Sequence, residues 1–456
     1  MRPLEIVLIV VAVVAVGWPS GRSRVVGLGV ALAAAAAALL QVVLEGARWQ
    51  LLPAYGVVVP VVVWRLVHLR SPRTGHRAWR VAGLVTGVVA LVLSAAAGTV
   101  LPAPSLPAPE GPHAVGTTSW ELAPTGRDDP YREGERRLVA QAWYPTTGDG
   151  PVAPWVADAD AFSAAVGPQV GVPGIVLGHL GLVESNAVAD APIAGGTWPV
   201  VVYSHGWSGF RTVQSDLAES LASHGFVVLA LDHTSGAAIS LFPDGSAIPL
   251  DPSANPDPDE VGSAVYRERI TLLEATFSAD VATLLDQLAE GAGPAVLGDD
   301  LQLDGVGLVG HSTGGGAAYR FCIVDDRCAA ALGFDPWVEP IPAELRAQGL
   351  DVPVRSIRSE AWQGNDNDTL LRGLHADSPG DAGVDVVPGA IHRDFTLLPF
   401  LSPLAGQLGL SGDVDAAAMH DAIDRVAVAF FAWHLRGEDP GTDRPALVVP
   451  DPVAGG

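Results

Sequence analysis

The sequence predicts an α/β protein with a mostly parallel sheet and helices on both faces, preceded by an all-α transmembrane segment of about four helices. Three observations carry that prediction. Four apolar runs fill the first hundred residues, at about 4–18, 25–44, 51–68 and 81–101. From about 116 onward, short β-branched runs alternate with stretches of helical spacing. Charge divides along the same boundary: residues 1–101 hold nine Arg and two acids, whereas the remainder holds 17 Arg and 48 acids within a net charge of −24.

A helix needs roughly 20 residues to cross a ~30 Å hydrocarbon core. The second, third and fourth runs meet that length, and the first is short enough to begin instead as a signal-like segment. Runs such as GVALAAAAAALLQVVL have no polar face, which argues against buried helices of a soluble domain. Arginine placement sets the orientation. The first loop has Arg22 and Arg24, and the third has Arg70, Arg73, Arg77 and Arg80, with Arg65 able to snorkel from the span before it. The second loop has Arg48 alone and Arg2 stands alone at the N-terminus, so loops one and three read as cytoplasmic. The large C-terminal part is therefore expected outside, on a multi-pass protein of the cell membrane. Residues 102–115, PAPSLPAPEGPHAV, form a stiff Pro-rich spacer. The acidic outer part repels phosphate backbones, which excludes nucleic acid as a partner. The chain has no Lys, which excludes a Walker phosphate loop, a Schiff-base lysine and a Ser–Lys dyad.

The outer domain is expected over 116–437. TTSWELAP and RLVAQAWYP read as antiparallel strands at one edge; WPVVVYSH and FVVLALDH read as strands buried on both faces. Helices follow in TVQSDLAESLASHG and ERITLLEATFSADVATLLDQLAE, then strands in GVGLV, CAAALGFD, VPVRSIRS and VDVVPGA. A last helix around 416–436 closes the domain, and 438–456 reads as an irregular tail. Residues 154–197 are too long for an ordinary connection and look like an insertion over the site, a possible lid. Cys322 and Cys328 are six apart; a local disulfide and two buried thiols both fit that spacing.

The stretch LDGVGLVGHSTGGG, from Leu303 to Gly316, permits two chemistries. Gly305, Gly307 and Gly310 spell G-x-G-x-x-G, a pyrophosphate cradle that requires a strand before Gly305 and a helix just after Gly310. The preceding LGDDLQLD is a poor interior strand and the following HSTGGG is too glycine-rich to start a helix there. Gly310, Ser312 and Gly314 spell G-x-S-x-G, in which GVGLV is itself the strand and a helix starts near Gly314. Small residues must flank a serine on so tight a turn. This second reading places every element.

A serine nucleophile requires a base, an orienting acid and oxyanion donors. Of the downstream histidines, His420 and His434 lie in the final helix and His375 in a polar one. His392 directly follows VDVVPGA, at a strand's C-terminal end, and is the expected base. Asp335 ends CAAALGFD and Glu360 follows VPVRSIRS; the Pro-Trp after Asp335 favours it as the acid, while Asp232, Asp304 and Asp394 read as solvated loop acids. Backbone N–H groups of Trp207, in SHGWSGF, and of Thr313 are the expected oxyanion donors, which leaves the Trp207 side chain to shape an acyl pocket.

VVYSHGWSGFRT, LASHGFVVLALDH, GHSTGG, LGFDPW and PGAIHRDF occur in order. Together they resemble the plasma-type platelet-activating-factor acetylhydrolases and their bacterial relatives, which have the α/β-hydrolase fold. The resemblance covers about 116–437. It implies Ser312 as nucleophile, Asp335 as acid, His392 as base, Trp207 and Thr313 as oxyanion donors, and calcium-independent hydrolysis of short or oxidised acyl esters without metal or organic cofactor. Two positions depart from the family: Thr313 stands where Phe is frequent, and Trp207 where a leucine-like residue is. The expected activity is a serine carboxylic-ester hydrolase acting on short-chain or phospholipid esters. A polyester or cutinase-like hydrolase is the nearest rival. A non-catalytic receptor or scaffold on the same fold is the rival from another class, and a peptidase lacks any clear N-terminal anchor motif.

Overall fold

The computed structural model describes residues 1–19, 22–70, 77–124, 126–254, 258–298, 301–379, 382–439 and 445–451, so Arg73 and parts of the tail lie outside the described residues. The chain forms two compact units. One comprises Met1–Ser105, Gly167–Val183 and Leu401–Leu404; the other comprises Leu106–Val166, Glu184–Phe400 and Ala405–Gly456.

The first unit contains α1 (Pro3–Gly17), α2 (Arg24–Glu45), α3 (Leu52–Arg70) and α4 (Arg77–Val100). Among the described residues, three helical stretches, Arg24–Glu45, Trp49–Leu69 and Ala78–Val100, are long and apolar enough to cross a membrane, and Pro3–Gly17 is shorter. Ala12, Ala15, Ala31, Ala34, Ala37 and Ala54 fill the buried faces, where small residues let helix backbones approach. Val25, Leu39, Val43 and Val59 point outward. That is the inverse of a water-soluble bundle. A buried Arg48–Glu5 ion pair at 2.5 Å and Arg48 donation to the Leu101 carbonyl tie three helix ends together. Arg2 donates to the carbonyls of Glu45 (2.5 Å) and Leu182 (2.6 Å), and Trp49 Nε1 to that of Val176 (3.2 Å), which fastens the 167–183 segment to the same unit. The Arg65 guanidinium is buried and donates to the Ala15 and Trp18 carbonyls, satisfying groups that the end of α1 leaves open.

The second unit is built on an eleven-stranded sheet in the order β13-β12-β11-β10-β9-β5-β6-β2-β1-β4-β3. Its strands are β1 (Ala114–Glu121), β2 (Val139–Thr146), β3 (Val152–Pro154), β4 (Glu184–Ala189), β5 (Trp198–Ser204), β6 (Val227–Asp232), β9 (Leu301–His311), β10 (Cys328–Phe334), β11 (Val354–Ser359), β12 (Ala382–Val387) and β13 (Val449–Pro450). A separate pair, β7 (Ile239–Leu241) and β8 (Ala247–Pro249), is antiparallel. The helices are α5 (Ala159–Gln169), α6 (Ser215–Ser223), α7 (Ala264–Ala289), α8 (Thr313–Val324), the single turn α9 (Ala343–Arg346), α10 (Asp366–Asp377) and α11 (Ala416–Arg436). Strands β6, β5, β9, β10, β11 and β12 run parallel. β5 and β6 are buried along nearly their whole length, as continuous apolar runs require when both faces are covered. The core joins Val200, Val202, Leu229, Leu308 and Ala331 of the sheet to Leu284 of α7 and Phe321 of α8.

Two sequence expectations change in detail. β1 and β2 are antiparallel but are not the edge, because β4 and β3 continue the sheet beyond them. The acidic LQLD stretch is strand after all: β9 starts at Leu301, with Gln302 and Asp304 exposed and alternating with half-buried leucines. This overhang pairs with Trp198 and Pro199 at the start of β5, so its charges stay in water while the interior portion begins at Val306. Cys322 and Cys328 form a disulfide, closing the turn between α8 and β10.

Candidate active site

The glycine-rich stretch resolves into strand, elbow and helix. Gly305 and Gly307 lie inside β9, where a side chain on Gly307 would meet the Phe431 ring of α11 at 2.6 Å. Gly307 packs the sheet against a helix, Gly305 lies beside Ala329, and neither belongs to a phosphate loop. β9 ends at His311, α8 begins at Thr313, and Ser312 between them has φ 55° and ψ −122°. Positive φ is uncommon outside glycine and marks local strain. The surroundings hold it: Ser312 N–H donates to the Phe334 carbonyl at 3.0 Å, and the Ser312 carbonyl accepts from Gly316 (3.1 Å) and Trp337 (2.9 Å). A Cβ on Gly310 would lie 2.4 Å from the Gly314 carbonyl oxygen, and one on Gly314 would lie 2.1 Å from that of Ser204. Both approaches are open to glycine alone.

Asp335 follows β10 with φ 41° and is fully buried. Oδ1 accepts from Ser359 N–H at 2.8 Å; Oδ2 accepts from the Ser359 hydroxyl at 2.6 Å and from His392 Nδ1 at 3.0 Å. His392 opens the short helical turn His392–Phe395 after β12, and its side chain keeps 29 % exposure. With Nδ1 donating to the carboxylate, Nε2 is left as the acceptor, the arrangement a general base needs. The other candidates serve elsewhere. Glu360 accepts from Gly389 N–H. Asp394 is no solvated loop acid: it is buried, accepting from Ile391 and Gly412 N–H, and so fixes the loop that carries His392. Asp232 is likewise buried and pairs with Arg211, while Asp304 is exposed. His420 is buried against Asp216, and His375 is buried at 2.7 Å from the Ser356 hydroxyl.

The loop after β5 lies directly against the elbow: a Cβ on Gly206 would sit 3.0 Å from that of Ser312. His205 accepts from His233 N–H through Nε2 (3.1 Å), so its Nδ1 carries the proton and donates to the Gly206 carbonyl (2.7 Å). That carbonyl shares a peptide plane with the Trp207 N–H, so fixing one fixes the other. Among the described residues neither the Trp207 nor the Thr313 N–H has a hydrogen-bond partner. The Trp207 side chain is half-buried and packs against Ala254, Leu273, Phe277 and Ala317, so it is committed to this cluster more than the sequence suggested. Phe210, farther along the same loop, meets Phe162 of α5 edge-on at 4.9 Å and Trp155 at 5.6 Å, which brings the 154–166 part of the insertion to this loop.

Three partners of the site escaped the sequence reading. Ser359 gives Asp335 two of its three hydrogen bonds; His311 and Trp362 both stack near His392. All depend on register between parallel strands, which no local pattern encodes. Among the described residues no group of three or more His, Cys, Asp or Glu side chains is placed to hold a metal ion.

The family model "Platelet-activating factor acetylhydrolase, isoform II" matches residues 99–248 and 284–441, more than half of the chain. The platelet-activating factor acetylhydrolase of Cavia porcellus is 27% identical over 365 residues, covering 75% of this chain and 80% of the relative. A probable 1-alkyl-2-acetylglycerophosphocholine esterase of Arthroderma benhamiae is 25% identical over 406 residues, covering 81% of this chain and 99% of the relative. Among solved structures, a ferulic acid esterase from Streptomyces cinnamoneus superposes with a TM-score of 0.61 at 27% identity, covering 78% of this chain and all of that one. The chain therefore belongs to the platelet-activating factor acetylhydrolase isoform II family, and it is an ester hydrolase with the α/β-hydrolase fold.

Proposed function

We propose that the protein is a serine carboxylic-ester hydrolase in which Ser312 is the nucleophile, His392 the general base and acid, and Asp335 the residue that holds His392 in the Nδ1-protonated tautomer. The observation that carries this reading is the Asp335–His392 hydrogen bond at 3.0 Å, beside a serine strained at φ 55° on an elbow that glycines alone permit. Ser312 Oγ attacks the ester carbonyl as its proton passes to Nε2; the alcohol leaves with that proton, and water repeats the sequence to release the acid. The unpaired Trp207 and Thr313 N–H groups stabilise the oxyanion, each worth roughly 3–4 kcal/mol in the transition state.

The substrates proposed are short-chain esters, including phospholipids with a short acyl group, as the printed names of the guinea-pig and fungal relatives suggest. A second reading, esters of aromatic acids such as ferulic acid, draws support from the structural neighbour. Membrane-length helices in the first unit support an integral membrane protein. The arginines of loops one and three, together with the Cys322–Cys328 disulfide, support an extracytoplasmic catalytic domain. Residues 154–166, which meet Phe210 through Trp155 and Phe162, act in this reading as a cover over the site.

The test is turnover of p-nitrophenyl acetate, butyrate and octanoate, of 2-acetyl and long-chain phospholipids, and of ethyl ferulate, by wild type, Ser312→Ala and Asp335→Asn in membranes. Losses of about 10⁶-fold and about 10⁴-fold are expected for the two variants. Full activity in Ser312→Ala sinks the triad. Preference for octanoate or ethyl ferulate over acetate redirects the substrate class.

A further inference from the structure

The hydrogen bond to Asp335 fixes the His392 ring at one atom and leaves it free to swing about that point. Two aromatic rings limit the swing. The Trp362 indole lies parallel to the imidazole, with centroids 4.2 Å apart and planes 4° from coincidence. The His311 ring lies 4.4 Å away, tilted by 34°. Both are themselves held. Trp362 ends the turn after β11, and that turn is tied to the loop before His392 by Ala361 N–H donating to the Ala390 carbonyl (3.3 Å) and Gly389 N–H donating to Glu360 (2.7 Å). His311 Nε2 donates to the His392 carbonyl at 3.0 Å, so its own ring is fixed on the backbone of the residue it touches. Burial and the neighbouring His392 push His311 well below the usual histidine range, so it stays neutral beside a ring that must become charged. An aromatic face is also attractive to a cation, and His392 is cationic midway through each half-reaction.

We propose that Trp362, assisted by His311, is a positioning residue that holds the His392 ring in the plane from which Nε2 hands its proton to the leaving alcohol. The inference rests on the triad reading above. In acylation the Ser312 Oγ–acyl carbon bond forms while Nε2 takes the hydroxyl proton; the acyl carbon–alkoxy bond then breaks while Nε2 returns that proton to the alkoxy oxygen. An alkoxide cannot leave without this proton, whereas p-nitrophenolate leaves as a stable anion. Misplacement of Nε2 therefore harms alkyl esters more than aryl esters of the same acid.

The experiment measures kcat/KM, which reports acylation, for ethyl butyrate and p-nitrophenyl butyrate in the full-length membrane protein. Trp362→Ala is expected to lose about 30-fold on ethyl butyrate and about threefold on p-nitrophenyl butyrate, in line with the sensitivity of catalysis to sub-ångström placement. Trp362→Phe, which keeps a flat ring, recovers most of the loss. His311→Gln, which keeps an N–H donor and drops the ring, shows a smaller loss in the same direction. Changes within twofold on both esters overturn the proposal. So does a loss as large or larger on the aryl ester, which marks Trp362 as a surface for the aryl group, or a Phe variant no better than Ala at equal melting temperature. Ser312→Ala in the same assay separates the two readings. Turnover there within tenfold of wild type overturns the triad and the positioning role together; a loss of about 10⁶-fold there with a wild-type-like Trp362→Ala overturns the positioning role alone.

Discussion

Two Asp–His pairs lie near serines within one domain, the outer one beside Ser312 and the inner one bonded to Ser204, and their surroundings differ in the features the proposed catalytic role requires. In the first, Asp335 accepts from His392 Nδ1 at 3.0 Å beside the elbow of Ser312. In the second, Asp280 of α7 accepts from His233 Nδ1 at 3.1 Å, and His233 Nε2 lies 2.8 Å from the hydroxyl of Ser204 at the end of β5. Each imidazole even stacks on an aromatic ring: His392 on Trp362, and His233 on Phe277 at 3.9 Å and 14°. The surroundings diverge. His392 keeps 29 % of its side chain exposed, while His233, Asp280 and Ser204 are sealed. Among the described residues Asp335 meets no guanidinium, whereas Arg136 grips both oxygens of Asp280 at 2.6 Å. Burial alone would raise the Asp280 carboxyl, but Arg136 and His233 bring it below the usual range. Burial in turn pushes His233 down, so it is neutral and cannot serve as a proton store. The inner chain is structural: His233 N–H holds His205, which orients the Gly206–Trp207 peptide.

The contrast can be broken from either side, and the largest effects belong to the outer chain, where the Ser312 and Asp335 variants lose activity by orders of magnitude with little change in melting temperature. For the inner chain the opposite is expected. Asp280→Asn leaves Arg136 with Asp129 as its remaining carboxylate partner and should destabilise the domain by about 3 kcal/mol, the scale for breaking a buried pair. Ser204→Ala should cost about 1 kcal/mol and spare most of kcat. Chemical denaturation alongside esterase assays tests both; an Asp280→Asn protein of wild-type stability, or a Ser204→Ala protein as inactive as Ser312→Ala, removes the distinction drawn here.

The turn at Ser312 and the positions of Asp335 and His392 after their strands were legible because each is a local pattern: a glycine bracket around a serine, and polar residues directly after apolar runs. Histidines 375 and 420 were set aside on helical context, and both are buried packing residues. What stayed hidden depends on distant segments meeting. Ser359 reaches Asp335 because β10 and β11 pair with Phe334 opposite Ile357. The inner chain joins β5, the end of β6 and α7, from residues 204 to 280, and has no signature along the sequence. The LQLD stretch, a poor interior strand by its charge, is strand without being interior: its acids sit on an overhang of β9 whose alternation keeps them in water. Charge density argued against a buried strand, and this portion is not buried.

The smallest expected effect concerns Glu274, which faces Arg320 at 3.2 Å from within α7. Burial outweighs that guanidinium and lifts the carboxyl to about 8 from its ordinary 4.5. A folded value above the unfolded one means that the native state keeps the proton longer, so this group's contribution to stability falls as pH rises from about 4.5 to about 8. Glu274→Gln should flatten that part of the melting-temperature profile. A wild-type-minus-variant difference that stays constant from pH 5 to 9 contradicts the assignment.

The central claim is that, of two Asp–His pairs near serines, the outer one alone serves a reactive serine. Fluorophosphonate labelling of the protein, followed by mass mapping of the modified peptide, tests it most directly. The expected result is a single label on Ser312 that disappears in Ser312→Ala and persists in Ser204→Ala. A label that maps to Ser204, or that survives the loss of Ser312, contradicts the account.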